Sequence, residues 1–311
     1  IEHQVEVKRC TCCGEKSKSV FPKVVTNHTQ YGTNVQAIIS YYNQYQLLPY
    51  KRIQEMFKDI FNINLSQGTI KNVLARGSDG LDEFMTQTKV ALLNSPLNHF
   101  DETGMRVDTH LQWLHVASNE ALTYYFLHEN RGSIAMNEMG ILPDYQGYAM
   151  HDHWISYYTY LECVHLLCNA HHLRELIYVA EQYGQVWPTK LIQCLLDIKI
   201  AVAEAANGGL SSLSVEQLNH FNEQYYEILA QGKAEIPILP APKKKKRGKR
   251  KRHKRHNLHA RLVDHKAEVM GFMNDFFLPF DNNLAERDIR MAKLKQKISG
   301  CFRTGGGWRY F

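Results

Sequence analysis

No stretch of this 311-residue chain approaches the roughly 18 apolar residues that a bilayer-crossing helix needs, and nothing at its start reads as a secretory leader. A membrane partner is therefore not expected. Cysteine is sparse. Of the seven, Cys163, Cys168, Cys194 and Cys301 are scattered through otherwise globular sequence. That usage argues against a disulfide-stapled secreted scaffold and fits reduced thiols in the cytoplasm. Acidic residues are missing from 243–256, where Lys243, Lys244, Lys245, Lys246, Arg247, Lys249, Arg250, Lys251, Arg252, Lys254 and Arg255 place eleven cations in fourteen positions. Taking those eleven from the 37 basic residues leaves 26 against 31 acidic ones, a net charge of −5. The overall charge of +6 is thus one local device on a mildly acidic chain, which suits a phosphate-binding arm more than a uniformly basic surface. The chain also lacks an initial Met and stops after Gly305-Gly-Gly-Trp-Arg-Tyr-Phe311, so it reads as a piece of a longer protein.

What is present begins with Cys10-Thr-Cys-Cys-Gly14. Cys10 and Cys13 have the spacing of half a zinc knuckle, but no second C-x-x-C follows. His3, His28 and Cys12 are candidate extra ligands; free thiols on a short hairpin are the alternative. Residues 33–94 read as helical. Ile53, Met56, Phe57 and Ile60 share one face of Tyr50–Phe61, a short turn follows, and Ser66 is placed to cap a second helix. Helix, turn and capped helix resemble a helix-turn-helix for DNA, although a structural helical pair gives the same pattern.

From residue 95 the period changes to that of strands. Leu97–Val107, Leu111–Ala117, Leu122–His128, Tyr148–Asp152 and Val164–Cys168 are expected strands, with helices over Ser133–Met139, Trp154–Leu161 and Ala170–Tyr183. The order β-β-β-α-β-α-β-α is that of an α/β, ribonuclease H-like core. It places Asp101 on the first strand and Asp152 at the end of the fourth. Side chains alternate along a strand, so Glu102 points away from Asp101. Two helical stripes follow, Leu191–Val202 and Val215–Ile228, then a proline-broken segment, the basic run and an amphipathic helix over Leu258–Phe277. A last helix, capped by Asp281 or Asn282, carries Glu286. The expected divisions are 1–32 (partial zinc knuckle), 33–94 (helical, DNA-binding), 95–184 (first part of the core), 185–280 (helical insertion with the basic arm) and 281–311 (last part of the core). Two aspartates at strand ends and a distant helical glutamate suit two hard divalent cations, Mg²⁺ or Mn²⁺.

His99-x-Asp-Glu-Thr103, Trp113-x-x-Val116, Asp152 after a short strand, Cys168-x-Ala-His171 with Arg174, and Asp281-Asn-Asn-x-Ala-Glu-Arg287 together resemble the DDE transposases of bacterial insertion sequences, specifically the insertion-sequence-sixty-six type. The resemblance covers most of the chain. It implies a catalytic triad of Asp101, Asp152 and Glu286, divalent-metal catalysis, DNA as substrate and target, a homo-oligomer on DNA, accessory element-encoded proteins and a cytoplasmic, nucleoid-associated location. One departure is Asp152-His-Trp154 where members usually show Asp-Gly-Tyr. Asp144, after Pro143, is the rival for the second aspartate. Arg174, Arg287 and Arg290 are candidate phosphate contacts. His171 is a candidate phosphate donor or ligand-orienting group beside Cys168, and Asn282 and Asn283 either contact DNA or cap their helix. Two other classes share these features: a decayed or domesticated DNA-binding protein, and a ribonuclease H-like nuclease acting on RNA or junctions.

Overall fold

The computed structural model describes residues 3–25, 29–238 and 253–300, which form two compact units, one up to Leu81 and one from Asp82 on. The expectations for His28, for Cys301 and for Lys243 to Arg252 lie outside the described residues.

In the first unit, β1 (Val7–Arg9) and β2 (Lys16–Lys18) form an antiparallel hairpin whose turn carries Cys10, Cys12 and Cys13. Gly14 makes that turn possible, its φ of 75° lying where a side chain is strained. Helices α1 (Thr33–Ser40), α2 (Tyr50–Phe61) and α3 (Gln67–Asp79) follow. Ile39, Ile53, Phe57, Ile70 and Leu74 bury one face of each. Asn62 ends α2 in the left-handed conformation, and the Ser66 hydroxyl caps α3 by accepting from Thr69 N at 3.0 Å.

The second unit opens with α4 (Asp82–Leu93) and then builds a five-stranded mixed sheet. Its strands are β3 (Leu97–Val107), β4 (His110–Ser118), β5 (Thr123–His128), β6 (Tyr148–His151) and β7 (Val164–Leu167), arranged β5-β4-β3-β6-β7. The first three pair antiparallel; β6 and β7 run parallel to β3. Helix α5 (Ser133–Met139) leads towards β6, and α6 (Asn169–Tyr183) follows β7 directly. The expected helix over Trp154–Leu161 is instead a single 3-10 turn at Tyr157–Thr159. Trp154 N is turned back onto Asp152 Oδ1, and the Tyr157 ring is drawn into the core, so the segment cannot wind regularly.

Beyond α6 come α7 (Trp187–Asn207), α8 (Val215–Glu235), α9 (Lys254–Asp264), α10 (Lys266–Asn274) and α11 (Asn283–Ser299). Trp187, Leu191, Leu195, Ile198, Tyr225 and Leu262 are buried together, and a Ser214–Gln217 capping box starts α8. The amphipathic stretch expected as one helix over Leu258–Phe277 is two helices. His265, at φ −114° and ψ 33°, ends α9 and begins α10, with its ring on the Glu268 carboxylate. The bend lets both short helices turn their apolar faces to the same core. No helix among the described residues is long and apolar enough to cross a membrane.

One residue shows how tightly β6 is seated. A Cβ on Gly147 would lie 2.8 Å from Pro96 O and run into the Tyr145 ring, which is fixed by hydrogen bonds to Ser95 O and Tyr148 O. Gly147→Ala is expected to cost about 1–3 kcal/mol, the range for overpacking, as a fall in the urea midpoint. An unchanged midpoint would show that the strand entrance is loose.

Candidate active site

The two faces of β3 have different work. Phe100 and Glu102 point to the side packed by Tyr145 and Tyr157. His99 and Asp101 point to the other, where α11 packs on β3 and β4 through Ala285 and Ile289. The parallel register matches His99 with Met150, so Asp101 and Asp152, each two residues further on, stand at the same level on neighbouring strands. Strands are about 4.8 Å apart, which makes these carboxylates neighbours. Asp152 sits just past the end of β6, its Oδ1 accepting from Trp154 N at 2.8 Å. Asp101 Oδ1 accepts from Glu102 N at 2.8 Å. Asp144 lies elsewhere, exposed on a 3-10 turn.

Glu286 reaches the same face from the first turn of α11. What brings it there is Asn282, 1% exposed. Its Nδ2 donates to Phe100 O at 2.8 Å, its Oδ1 accepts from His99 Nδ1 at 2.9 Å, and its backbone N donates to Cys168 Sγ at 3.1 Å. The Asn282 side chain therefore neither caps α11 nor meets solvent; it pins the start of the helix to the strand holding Asp101. Asn283 is exposed, and its N is taken by Asp281 Oδ1. At the far side of the helix, Thr123 and Tyr125 bond Asp288.

The electrostatics record the crowding. Burial, then the neighbouring carboxylate of Glu102, and further Asp152 and Glu286, push the Asp101 carboxyl up to about 7. Glu102 is also raised by burial, despite its partners. Its Oε1 accepts from Arg131 Nη2 at 2.5 Å and its Oε2 from the Tyr157 hydroxyl at 2.5 Å. Arg131 is held between the rings of Trp113 (4.9 Å) and Trp154 (4.1 Å). Glu102 is thus satisfied on the opposite face, and among the described residues no cation pairs with Asp101. The Glu102–Arg131–Tyr157 cluster had no signal in the sequence beyond strand alternation.

Basic side chains surround the acidic centre unevenly. Arg174, on α6, donates to Glu286 Oε1 at 3.0 Å. His171 and Cys168 join it there, the donor atoms of Cys168, His171 and Glu286 lying within 4.8 Å of one another. Arg287 and Arg290 are exposed on α11. Lys254 and Arg255 begin α9 and lie over Tyr178 and Tyr183. On the hairpin of the first unit, Cys10 is lowered to about 7 by N–H groups of Cys13 and Cys12 directed at its sulfur.

A mixed sheet with acidic side chains at one end of its parallel strands, closed by a late helix, defines an α/β protein of acid-centred type. The model of the transposase IS66 family matches residues 28–310, and the chain belongs to that family. No curated protein matches the chain. Family membership implies transposition, with the DNA binding, the nuclease or strand-transferring activity and the divalent-metal dependence that transposition by such enzymes entails.

The raised Asp101 has a measurable sign. Its folded value lies above the 3.8 of an unperturbed carboxyl, so the metal-free protein keeps a proton between about pH 4 and 7 that the unfolded chain gives up, and stability falls as pH rises through that window. Asp101→Asn is expected to stabilise the metal-free protein at pH 8, on the order of 2–4 kcal/mol, with the gain vanishing near pH 4. Urea unfolding in chelator at both pH values measures it; no gain at pH 8 would remove the crowding argument.

Proposed function

We propose that the chain is a DDE transposase with a ribonuclease H-like core, in which Asp101, Asp152 and Glu286 hold two divalent cations, Mg²⁺ or Mn²⁺, and cut and join DNA at the element's ends. The observation that carries this reading is the juxtaposition of Asp101 and Asp152 on parallel neighbours, with Glu286 brought to the same face. The strand order β5-β4-β3-β6-β7 supports the core assignment.

The residues fit such cations. Asp101 lies where burial and the neighbouring carboxylates disfavour its charge, a state that bound cations relieve, and oxygen donors are what hard cations select. When bound, the pair supplies charge neutralisation at the phosphate and activates the attacking oxygen. Asp101 and Asp152 are the fixed members: each has one oxygen tied to a backbone N–H, so the other faces the site in a set direction. Glu286 is movable by comparison, held from a helix start and shared with Arg174. Arg174, once released from Glu286, is placed to receive a phosphate oxygen, and Arg287 and Arg290 extend that positive edge along α11. Homo-oligomerisation on DNA and accessory proteins belong to the same reading.

DNA is gathered by parts outside the carboxylate centre. The exposed side of α3, with Lys71, Asn72 and Arg76, has the form of a groove-reading helix. Residues 243–256 add eleven cations without an acid. Cys10 and Cys13 complete the proposed set as zinc ligands.

Two measurements test this. Asp101→Asn, Asp152→Asn and Glu286→Gln should each lower cleavage of the element's end sequence in Mg²⁺ by at least about a thousandfold, taking the loss of a principal transition-state stabiliser as the scale. DNA affinity should stay within a few-fold. Near-normal cleavage by any one of them rejects that residue. Deleting residues 243–252, which leaves the start of α9 and its contacts with Tyr178 and Tyr183 in place, should leave the urea midpoint unchanged and flatten the plot of log affinity against log salt, by about 0.9 for each phosphate that the arm had neutralised. Equal slopes would remove the arm from the DNA-binding surface.

A further inference from the structure

The corner where α6 meets α11 holds chemistry that hard-cation catalysis does not use. Cys168, 1% exposed, precedes α6, and its sulfur lies at the amide end of that helix. Asn282 N donates to it at 3.1 Å, and the N–H groups of His171 and Ala170 are directed at it as well. Burial pushes the Cys168 thiol up to about 11 in the metal-free protein, while these amide donors would disperse the charge of a thiolate bound to a metal. One helical turn on, His171 Nδ1 is buried and makes no hydrogen bond among the described residues. It lies 3.5 Å from Glu286 Oε1, beside Cys168. A buried ring nitrogen without a hydrogen bond, facing a thiol and a carboxylate, is an unmet donor–acceptor demand.

We propose that Cys168, His171 and Glu286 form a second cation site, selective for a thiophilic divalent ion of the Zn²⁺ type, whose occupation withdraws Glu286 from the carboxylate centre. The donor set decides the selectivity. Thiolate, imidazole and one carboxylate suit Zn²⁺ or Co²⁺ and do not suit Mg²⁺, which takes oxygen and keeps its water. The size also fits. A tetrahedral ion with bonds of about 2.0–2.3 Å wants donors roughly 3.5 Å apart, and these three lie within 4.8 Å, so side-chain rotation closes the gap. A water or a DNA oxygen takes the fourth place. Arg174, the present partner of Glu286 Oε1, has a side chain 58% exposed and is free to swing outwards when the ion takes that oxygen. Binding releases the thiol proton to solvent and changes no oxidation state.

The site itself is independent of the transposase reading; its inhibitory consequence rests on Glu286 serving catalysis. The first test therefore needs no activity. The full chain carrying Cys10→Ser, Cys12→Ser and Cys13→Ser, to silence the hairpin thiols, is titrated with Co²⁺ in excess Mg²⁺. The sulfur-to-cobalt charge-transfer band is the readout. One equivalent should develop the band. Cys168→Ser should abolish it, and His171→Ala should weaken cobalt binding by at least about 100-fold, since even groups that only support a ligand cost 10–100-fold. His171 is partly exposed, so its variant keeps the test decisive if the Cys168 variant fails to fold. No band, or a band that survives Cys168→Ser, overturns the site. The second test adds Zn²⁺ to Mg²⁺-driven cleavage. The half-inhibiting zinc concentration should rise about tenfold or more in Cys168→Ser. An unchanged value, with the cobalt band intact in the parent, overturns the withdrawal of Glu286 while leaving the site standing.

Discussion

Asn282 is the constraint on which the rest of the site depends. It lies 183 positions from His99 and 114 from Cys168, yet bonds both, and it bonds the carbonyl of Phe100. A buried amide without partners costs several kcal/mol, so the sheet, the start of α6 and the start of α11 must assemble together to satisfy it. The directionality of those bonds is what converts an ordinary helix packed on a sheet into one whose first turn faces Asp101. Apolar contacts of Ala285 and Ile289 hold α11 against the sheet, but being non-directional they leave its rotation and rise open.

The carboxylate centre is built against its own electrostatics. Asp101 is desolvated and surrounded by acids, and the cation that satisfies Glu102 is on the wrong side of the strand to help it. The alternation of a β-strand makes this separation possible: adjacent acids in the chain enter different environments. Glu102 has an arginine clamped between two tryptophans and a tyrosine hydroxyl, which fix one face of β3. Asp101, on the other, has no cationic partner among the described residues.

Around this centre positive charge is unevenly supplied. Arg174 is already on Glu286, Arg287 and Arg290 stand exposed along α11, and Lys254 and Arg255 are tethered over tyrosine rings. Cys168 and His171 are the soft donors among hard ones, and a single shared residue, Glu286, links the two proposed cation sites.

Much of this was legible in the sequence. The period-2 runs gave strands whose observed bounds fall within about two residues of expectation, because a strand buried on one face needs alternating side chains whatever surrounds it. The capping signal at Ser66 and the apolar stripes of α7 and α8 are equally local, and so was the prediction that Glu102 turns away from Asp101. The motifs gave the family. What failed failed for tertiary reasons. Leu258–Phe277 has one continuous amphipathic pattern, but the core bends it at His265. Trp154–Leu161 has helical spacing, but Asp152 captures its first N–H and Tyr157 is pulled inwards. Asn282 looked like a cap or a DNA contact because its neighbours in sequence are polar; its partners are strands folded against it from far away. The sequence by itself thus determined which residue types were available and which local elements they form, since those depend on short-range sterics and periodicity. Only the tertiary structure decided which of them meet, because the buried hydrogen bonds of Asn282 and the parallel register of β3 and β6 join residues that no local rule connects.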